Sequence, residues 1–181
     1  MKLSTILKEL LDVQSSKSYE VEGPKRVSHS FSDGSTETNY KWSYKNVKGQ
    51  KMEIEINFEY GYGKEDANMI ISFGKAVKSS AIQSKYNVMT GAGDLKKILK
   101  TVIDAAEYVI AKELPETGKR GLYKVGFEPA DERRERIYRY FIETNFPDFK
   151  EDEEGREEGH SFKWFINQNY QPPQTETSPE D

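Results

Sequence analysis

The sequence predicts an α+β (mixed α/β) fold in which helices flank a central, mostly antiparallel sheet. Two patterns support this prediction. Apolar and polar residues alternate between residues 26 and 60, as they do in strands that bury one face. Apolar residues then recur at helical spacing from Leu95 to Ile110, and further strand and helix patterns follow. This order favours an antiparallel meander followed by alternating helices and strands.

The composition is that of one polar domain. The 181 residues are 35% hydrophobic and 32% charged, with a formal net charge of -4, and they include 11 Tyr, 9 Phe and 2 Trp for a core. A mildly acidic chain has no general attraction to nucleic acid. The absence of cysteine excludes disulfides and thiolate metal sites. We predict a single domain at residues 1–170 and a disordered acidic tail at 171–181.

The N-terminal residues predict a short docking helix. Ser4 is a suitable N-cap, and apolar residues follow at helical spacing. Lys8 and Glu9 interrupt the apolar pattern, unlike the centre of a signal peptide, and no apolar run approaches the roughly 20 residues that span a bilayer. We therefore expect a soluble, cytoplasmic protein without a membrane partner. The apolar positions of the helix are Leu3, Ile6, Leu7, Leu10 and Leu11.

Three strands are predicted in the meander, at residues 26–32, 38–46 and 51–60. The turn signals "DGS" and "VKGQ" separate them. In the third strand, apolar residues from Met52 to Phe58 alternate with Glu53, Glu55, Asn57 and Glu59, so one face is expected in the core and the other in water. The aromatic residues of the second strand either fill the core or form a partner surface, namely Tyr40, Trp42 and Tyr44.

The second half alternates strands and helices. A fourth strand is predicted in "NMIISFGKAV", and "SSAIQSKYNVMT" leads into a fifth. The long helix after Gly93 ends at "PETGKRG", and "LYKVGFEP" is the next strand. A second helix is expected at residues 130–146, followed by a charged loop at 150–159 and a last strand at 160–170.

A glycine turn precedes the long helix, and two interpretations of it remain open. Glycines allow the backbone to approach a phosphate, and the free N–H groups of a helix start favour an anion. Lys96, Lys97 and Lys100 lie near the positive end of the helix dipole, and a bound anion would offset this unfavourable interaction. Alternatively, Asp94 caps an ordinary corner, and the lysines form a solvated face. The residues of the turn are Thr90, Gly91, Ala92 and Gly93.

Two stretches, "TGAGDLKKILKTVIDAAEYV" and "VGFEPADERRERIYRYF", resemble the second half of the GNAT N-acyltransferase superfamily. They are most similar to uncharacterised GNAT-like proteins encoded by bacteriophages, and the resemblance covers residues 52–146. It implies that Thr90 to Gly93 receive the pyrophosphate of acyl-CoA. It also implies that Tyr138 acts as a general acid toward the leaving thiolate, and that the protein works in the cytoplasm of an infected host cell or in the virion.

The chain departs from the superfamily pattern at the turn. The superfamily has Gln or Arg three residues before the first glycine, where this chain has Val88. The carboxylate of Asp94 would repel a phosphate beside it. Tyr138 has apolar neighbours on its helix, so a core tyrosine with a satisfied hydroxyl is an open alternative to the general acid.

No general base stands out in the sequence. Glu59 and His29 are candidates, but their patterns predict solvent-facing positions. His29 and His160 lack the spacing of metal ligands, so no metal is predicted. The arginines of the second helix have Glu residues at helical spacing and predict a solvated ion-pair face. They are Arg133, Arg134, Arg136 and Arg139.

Three functional hypotheses follow. The favoured one is a phage-encoded GNAT-like protein without catalysis, which binds a protein partner that the sequence does not identify. The alternative is an acyl-CoA-dependent N-acyltransferase that modifies a host protein or a small amine. A cellular adaptor that shares only the strand and helix order is the third. The sequence leaves acyl-CoA open as a cofactor and a homo-oligomer open as the assembled state.

Overall fold

A computed structural model describes residues 17–61, 66–75, 95–127, 132–152 and 163–170. Within these ranges the chain forms a seven-stranded sheet and two α-helices, which confirms the predicted α+β class. The strands are β1 (Glu22–Ser30), β2 (Thr36–Lys45), β3 (Lys51–Tyr60), β4 (Ala67–Lys75), β5 (Leu122–Phe127), β6 (Phe149–Glu151) and β7 (Lys163–Asn167). The helices are α1 (Leu95–Glu113) and α2 (Glu132–Asn145), and a 3-10 helix spans Gly118–Gly121.

The strands follow the spatial order β1-β2-β3-β4-β5-β7-β6. Every neighbouring pair is antiparallel except β4 and β5, which are parallel. The predicted meander is confirmed, and β3 has the predicted bounds. β1 begins at Glu22, four residues before the predicted start at residue 26.

One face of the sheet carries the core. Ile54 lies between Trp42 on β2 and Phe73 on β4, and Ile56 lies between Tyr40 and Ile71. These alternate positions are the apolar ones, so the period of two predicted for β3 is the one that the fold buries. Tyr40, Trp42 and Tyr44 are 1%, 4% and 4% exposed, which places them in the core rather than on a partner surface.

The opposite face of β3 is drier than predicted. Glu53 is only 8% exposed, although alternation predicts a carboxylate in water. Nζ of Lys41, on β2, lies 3.1 Å from Oε2 of Glu53. A buried carboxylate needs such a partner, and the pairing of β2 with β3 supplies it.

The helices bury the faces that their periodicity predicts. The apolar positions of α1 from Ile98 to Ile110 are buried, and Leu95 is half-buried against the core. In α2 the buried residues include Ile137, Tyr138, Phe141 and Ile142. The 3-10 helix and the short strand β6 have no counterpart in the prediction, and β7 ends at Asn167, before the predicted end at residue 170.

Several predicted features lie outside the described residues. They are the docking helix, the fifth strand proposed within residues 79–90, the glycine turn at 90–93 and the tail at 171–181. Within the ranges that are described, neither helix is long and apolar enough to cross a membrane.

Candidate functional site

The strand β5 ends before its parallel neighbour β4 does, which among the described residues leaves an opening between them beyond Ile70 and Gly126. Their register covers only Ala67 to Ile70 of β4, paired with Leu122 to Gly126 of β5. β4 then continues to Lys75 along β3. In open sheets, the region beyond the carboxyl ends of parallel strands is a common place for a ligand, and β4 and β5 are the parallel pair of this sheet. The opening between β4 and β5 is therefore the candidate site.

Tyr138 of α2 occupies this opening. Its ring makes edge-to-face contacts with Phe73 of β4 and Phe127 of β5, at centroid distances of 5.2 and 4.9 Å. Phe127 in turn stacks on Phe165 of β7 at 5.6 Å. Edge-to-face aromatic pairs at these distances are stabilising. Tyr138 is 8% exposed, so its ring packs between the two strands as a core residue would.

The lysines near the start of α1 are engaged by the protein itself. Nζ of Lys97 lies 4.1 Å from the centroid of the Tyr19 ring. Nζ of Lys100 forms an ion pair with Asp104, one turn further along α1. Lys96 is half-buried. Two of the three cations that would neutralise a pyrophosphate thus have partners in the chain.

The two candidate bases lie in one row across the sheet. His29 of β1 faces Glu37 of β2, and Glu37 faces Glu59 of β3. Burial, followed by the nearby charge of Glu37, raises the pKa of Glu59. Glu59 is half-buried rather than solvent-exposed as predicted, because β2 and β4 both flank β3. A raised pKa brings a carboxyl group closer to the range of a general base.

Glu59 and Tyr138 do not meet. The cross-strand partner of Glu59 is Asn68, whereas Tyr138 contacts Phe73, five residues further along β4. Residues separated by an odd number on a strand point to opposite faces, and five residues span about 16 Å. The predicted acid and the candidate base therefore lie on opposite faces of the sheet and at opposite ends of β4.

The two described arginines of α2 form the predicted ion pairs within the helix, and one of them also pairs with a residue of the sheet. Arg136 pairs with Glu132 at 3.6 Å and Arg139 with Glu135 at 3.0 Å, both at i, i+4 spacing. Arg139 also reaches Glu151 on β6 at 2.6 Å. The side chains of Arg133 and Arg134 lie outside the described part of the chain. The helical spacing revealed the local pairs, while the contact with Glu151 depends on how α2 packs on the sheet.

A second concave surface lies at the end of β2. This groove, of about 1010 Å³, runs between residues 18–22 and 43–47. Tyr19 and Tyr44 stack at 4.8 Å in its lining, and Lys45 faces Lys51 across the strand pair. Like charges directly opposite each other are unfavourable in a sheet. The groove was not predicted, because it depends on the packing of Tyr19 against β2 and α1, and both contacts are distant in sequence.

A metal site and an acyl-CoA site each require particular groups among the described residues. Among them no cluster of three or more His, Asp or Glu could hold a metal ion. The turn at 90–93, which would contact the pyrophosphate, lies outside the described ranges. Of the described lysines that follow it in sequence, Lys97 and Lys100 have partners in the chain.

Comparison with protein-family models, curated proteins and solved structures gives no significant match to the chain.

Proposed function

We propose that the protein is a phage-encoded, GNAT-like binding protein without catalytic activity, which acts on a protein partner in the infected host cell or in the virion. The separation of Tyr138 from Glu59 carries this proposal. Acyl transfer to an amine requires a base at the amine and an acid at the leaving group, both within reach of one substrate. Two groups on opposite faces of a sheet do not meet that requirement.

The surroundings of Tyr138 support the same proposal. A general acid must point into a cleft, whereas this ring packs between Phe73 and Phe127 and is 8% exposed. The partners of Lys97 and Lys100 add to it, because an enzyme that binds a pyrophosphate keeps nearby cations for the ligand.

An acyl-CoA-dependent N-acyltransferase is the second candidate. The opening between β4 and β5 favours it, because β4 continues past the end of β5, and a strand edge of this kind can hydrogen-bond an extended ligand. Thr90, Gly91, Ala92 and Gly93 would hold the pyrophosphate, and Tyr138 would donate the proton. When bound, acyl-CoA supplies the acyl group and the thiolate that leaves.

Isothermal titration of CoA and of acetyl-CoA into the wild type distinguishes the two candidates. The binding proposal expects no saturable heat from either ligand. Saturable binding that Gly91→Asp abolishes would overturn it and favour the acyltransferase, because a carboxylate in the turn repels the pyrophosphate.

Lys150→Asp is the control for the titration. It introduces the same carboxylate and also removes a cation, a larger change in charge than Gly91→Asp makes, at an exposed position of β6, an edge strand of the sheet, and should leave any CoA binding unchanged. The circular dichroism spectrum of each variant establishes that it is folded. A loss of binding in both variants would show that charge alone, rather than the turn, controls the ligand.

A further inference from the structure

β1 is an exposed edge strand. Among the described strands its one neighbour is β2. Eight of its nine residues are exposed along their length, and the remaining one is half-buried. The outer backbone of such a strand offers N–H and C=O groups to another strand.

Exposed apolar side chains occur at intervals along this edge. The described ranges contain five large exposed hydrophobic residues, and three of them lie on β1 or directly beside it. Val21 is 40% exposed, Val27 53% and Phe31 50%. Single exposed apolar residues are common, but several along one free strand edge are typical of an interaction surface.

The charges on β1 decide which partner fits. Nη2 of Arg26 lies 3.5 Å from Oε1 of Glu113, and its Nε donates a hydrogen bond to the Tyr40 hydroxyl at 3.0 Å. The charge of Arg26 is therefore balanced within its own chain. Lys25 is the remaining cation in the regular part of the strand, from Lys25 to Ser30.

An antiparallel register of two β1 strands centred on Val27 keeps like charges apart and brings the exposed valines together. An axis through Val27 places Val27 opposite Val27, Arg26 opposite Ser28 and Lys25 opposite His29 of the second copy. No two permanent like charges then face each other, and the exposed valines meet. An axis through Arg26 would instead place two arginines face to face, which is unfavourable.

We propose that two copies of the chain pair through β1, antiparallel about Val27, and so join their sheets across a two-fold axis. Contacts of this kind are isologous, because each copy uses the same surface. Pro24 has no N–H, so the continuous ladder runs from Lys25 to His29. This proposal does not depend on the proposed function.

Sedimentation velocity over a concentration series tests the pairing. The wild type should shift with concentration toward twice the 20.9 kDa chain mass. Val27→Lys places two cations on the axis and should leave a folded monomer at every concentration. Val47→Lys is the matched control, because Val47 is 63% exposed and lies in the turn after β2, away from β1. This variant should still dimerise.

An introduced cysteine tests the register directly. The chain has no cysteine, so Val27→Cys carries a single thiol. Facing residues on paired strands approach closely enough for a disulfide, and oxidised glutathione should convert this variant into a covalent dimer, while Val47→Cys should form no disulfide-linked dimer on a non-reducing gel. A wild type that stays monomeric throughout, or a dimer that persists in Val27→Lys, would overturn the proposal.

Discussion

Arg139 of α2 and Glu151 of β6 form an ion pair of 2.6 Å that joins the second helix to the edge of the sheet. Two further residues close the arrangement. Arg139 pairs with Glu135 at 3.0 Å, and Lys163 of β7 lies 3.2 Å from Glu135 and 3.6 Å from Glu151. Burial alone would raise the pKa of Glu135, but hydrogen bonds from Lys163 and Arg139 outweigh it, and the pKa is lowered. Two cations and two carboxylates therefore hold α2, β6 and β7 together.

Removing one carboxylate from this network should destabilise the fold. Glu151→Gln leaves Arg139 and Lys163 to share Glu135, and we expect the free energy of unfolding to fall by about 1–2 kcal/mol. Urea denaturation measures it. The control is Glu132→Gln, whose pair with Arg136 is largely exposed and should be worth at most about 0.5 kcal/mol. Equal losses in the two variants would mean that the network acts only as separate surface pairs.

The ionised carboxylate of Glu59 should lower the free energy of unfolding at neutral pH. Burial and the charge of Glu37 raise its pKa above the ordinary 4.5. A carboxyl group whose pKa is raised on folding penalises the folded state above that value, and the penalty disappears as the pH falls below it. We therefore expect Glu59→Gln to increase the free energy of unfolding at pH 7, with a gain that shrinks as the pH falls through the raised pKa and disappears below the ordinary value of 4.5. The amide could also donate to Oδ1 of Asn68, which is buried and lacks a partner among the described residues.

The control for Glu59 lies on the same strand and the same face. Oε1 of Glu55 accepts a hydrogen bond of 2.7 Å from Nδ2 of Asn39. Glu55→Gln weakens this charge-assisted bond and should lower stability at pH 7. Urea denaturation at several pH values measures both variants. A Glu59→Gln protein that is less stable than the wild type at pH 7 would contradict the assigned burial of this carboxylate.

Gly126 should not tolerate a side chain. A Cβ at this position would lie 2.7 Å from two carbons of the Trp164 ring, which covers Gly126 from the paired strand β7. We expect Gly126→Ala to lower the free energy of unfolding by about 1–3 kcal/mol, because the ring must move. Thermal or urea denaturation tests this. Combining Gly126→Ala with Trp164→Leu should recover part of the loss, and a purely additive double mutant would show that the two residues do not clash.

Local periodicity accounts for the parts of the fold that were predicted. β3 and α1 each have a complete apolar face in sequence, so their bounds and buried residues follow from the spacing of Met52 to Phe58 and of Ile98 to Ile110. The strand register, in contrast, is a long-range property. It alone shows that Glu59 and Tyr138 lie on opposite faces, and that Lys41 reaches the buried Glu53.

The ion pairs of Arg139 also depend on long-range contacts that a local sequence pattern does not show. Its helical partner Glu135 could be found four residues away in the sequence. Glu151 and Lys163 lie on strands that meet α2 only after β7 inserts between β5 and β6. Because β6 has only three residues, no periodic pattern marks it. The candidate site depends on these long-range arrangements more than the core does.

Substitutions of Tyr138 distinguish the two proposed functions. Tyr138→Phe keeps the ring between Phe73 and Phe127, so the free energy of unfolding should change by at most about 1.5 kcal/mol. Tyr138→Ala empties the opening between β4 and β5 and should cost about 3–5 kcal/mol, because the neighbouring rings cannot fill the space. Urea denaturation of both variants measures these differences.

The same substitution tests the role of the hydroxyl group. If Tyr138 serves only packing, Tyr138→Phe should retain binding to whatever partner the wild type captures, because the contacts of the ring are unchanged. A general acid would behave differently: Tyr138→Phe would stay folded yet lose acyl transfer from acetyl-CoA to an amine, measured as release of free thiol. A folded Tyr138→Phe protein whose thiol release falls well below that of an active wild type would overturn the binding proposal and assign the opening between β4 and β5 to catalysis.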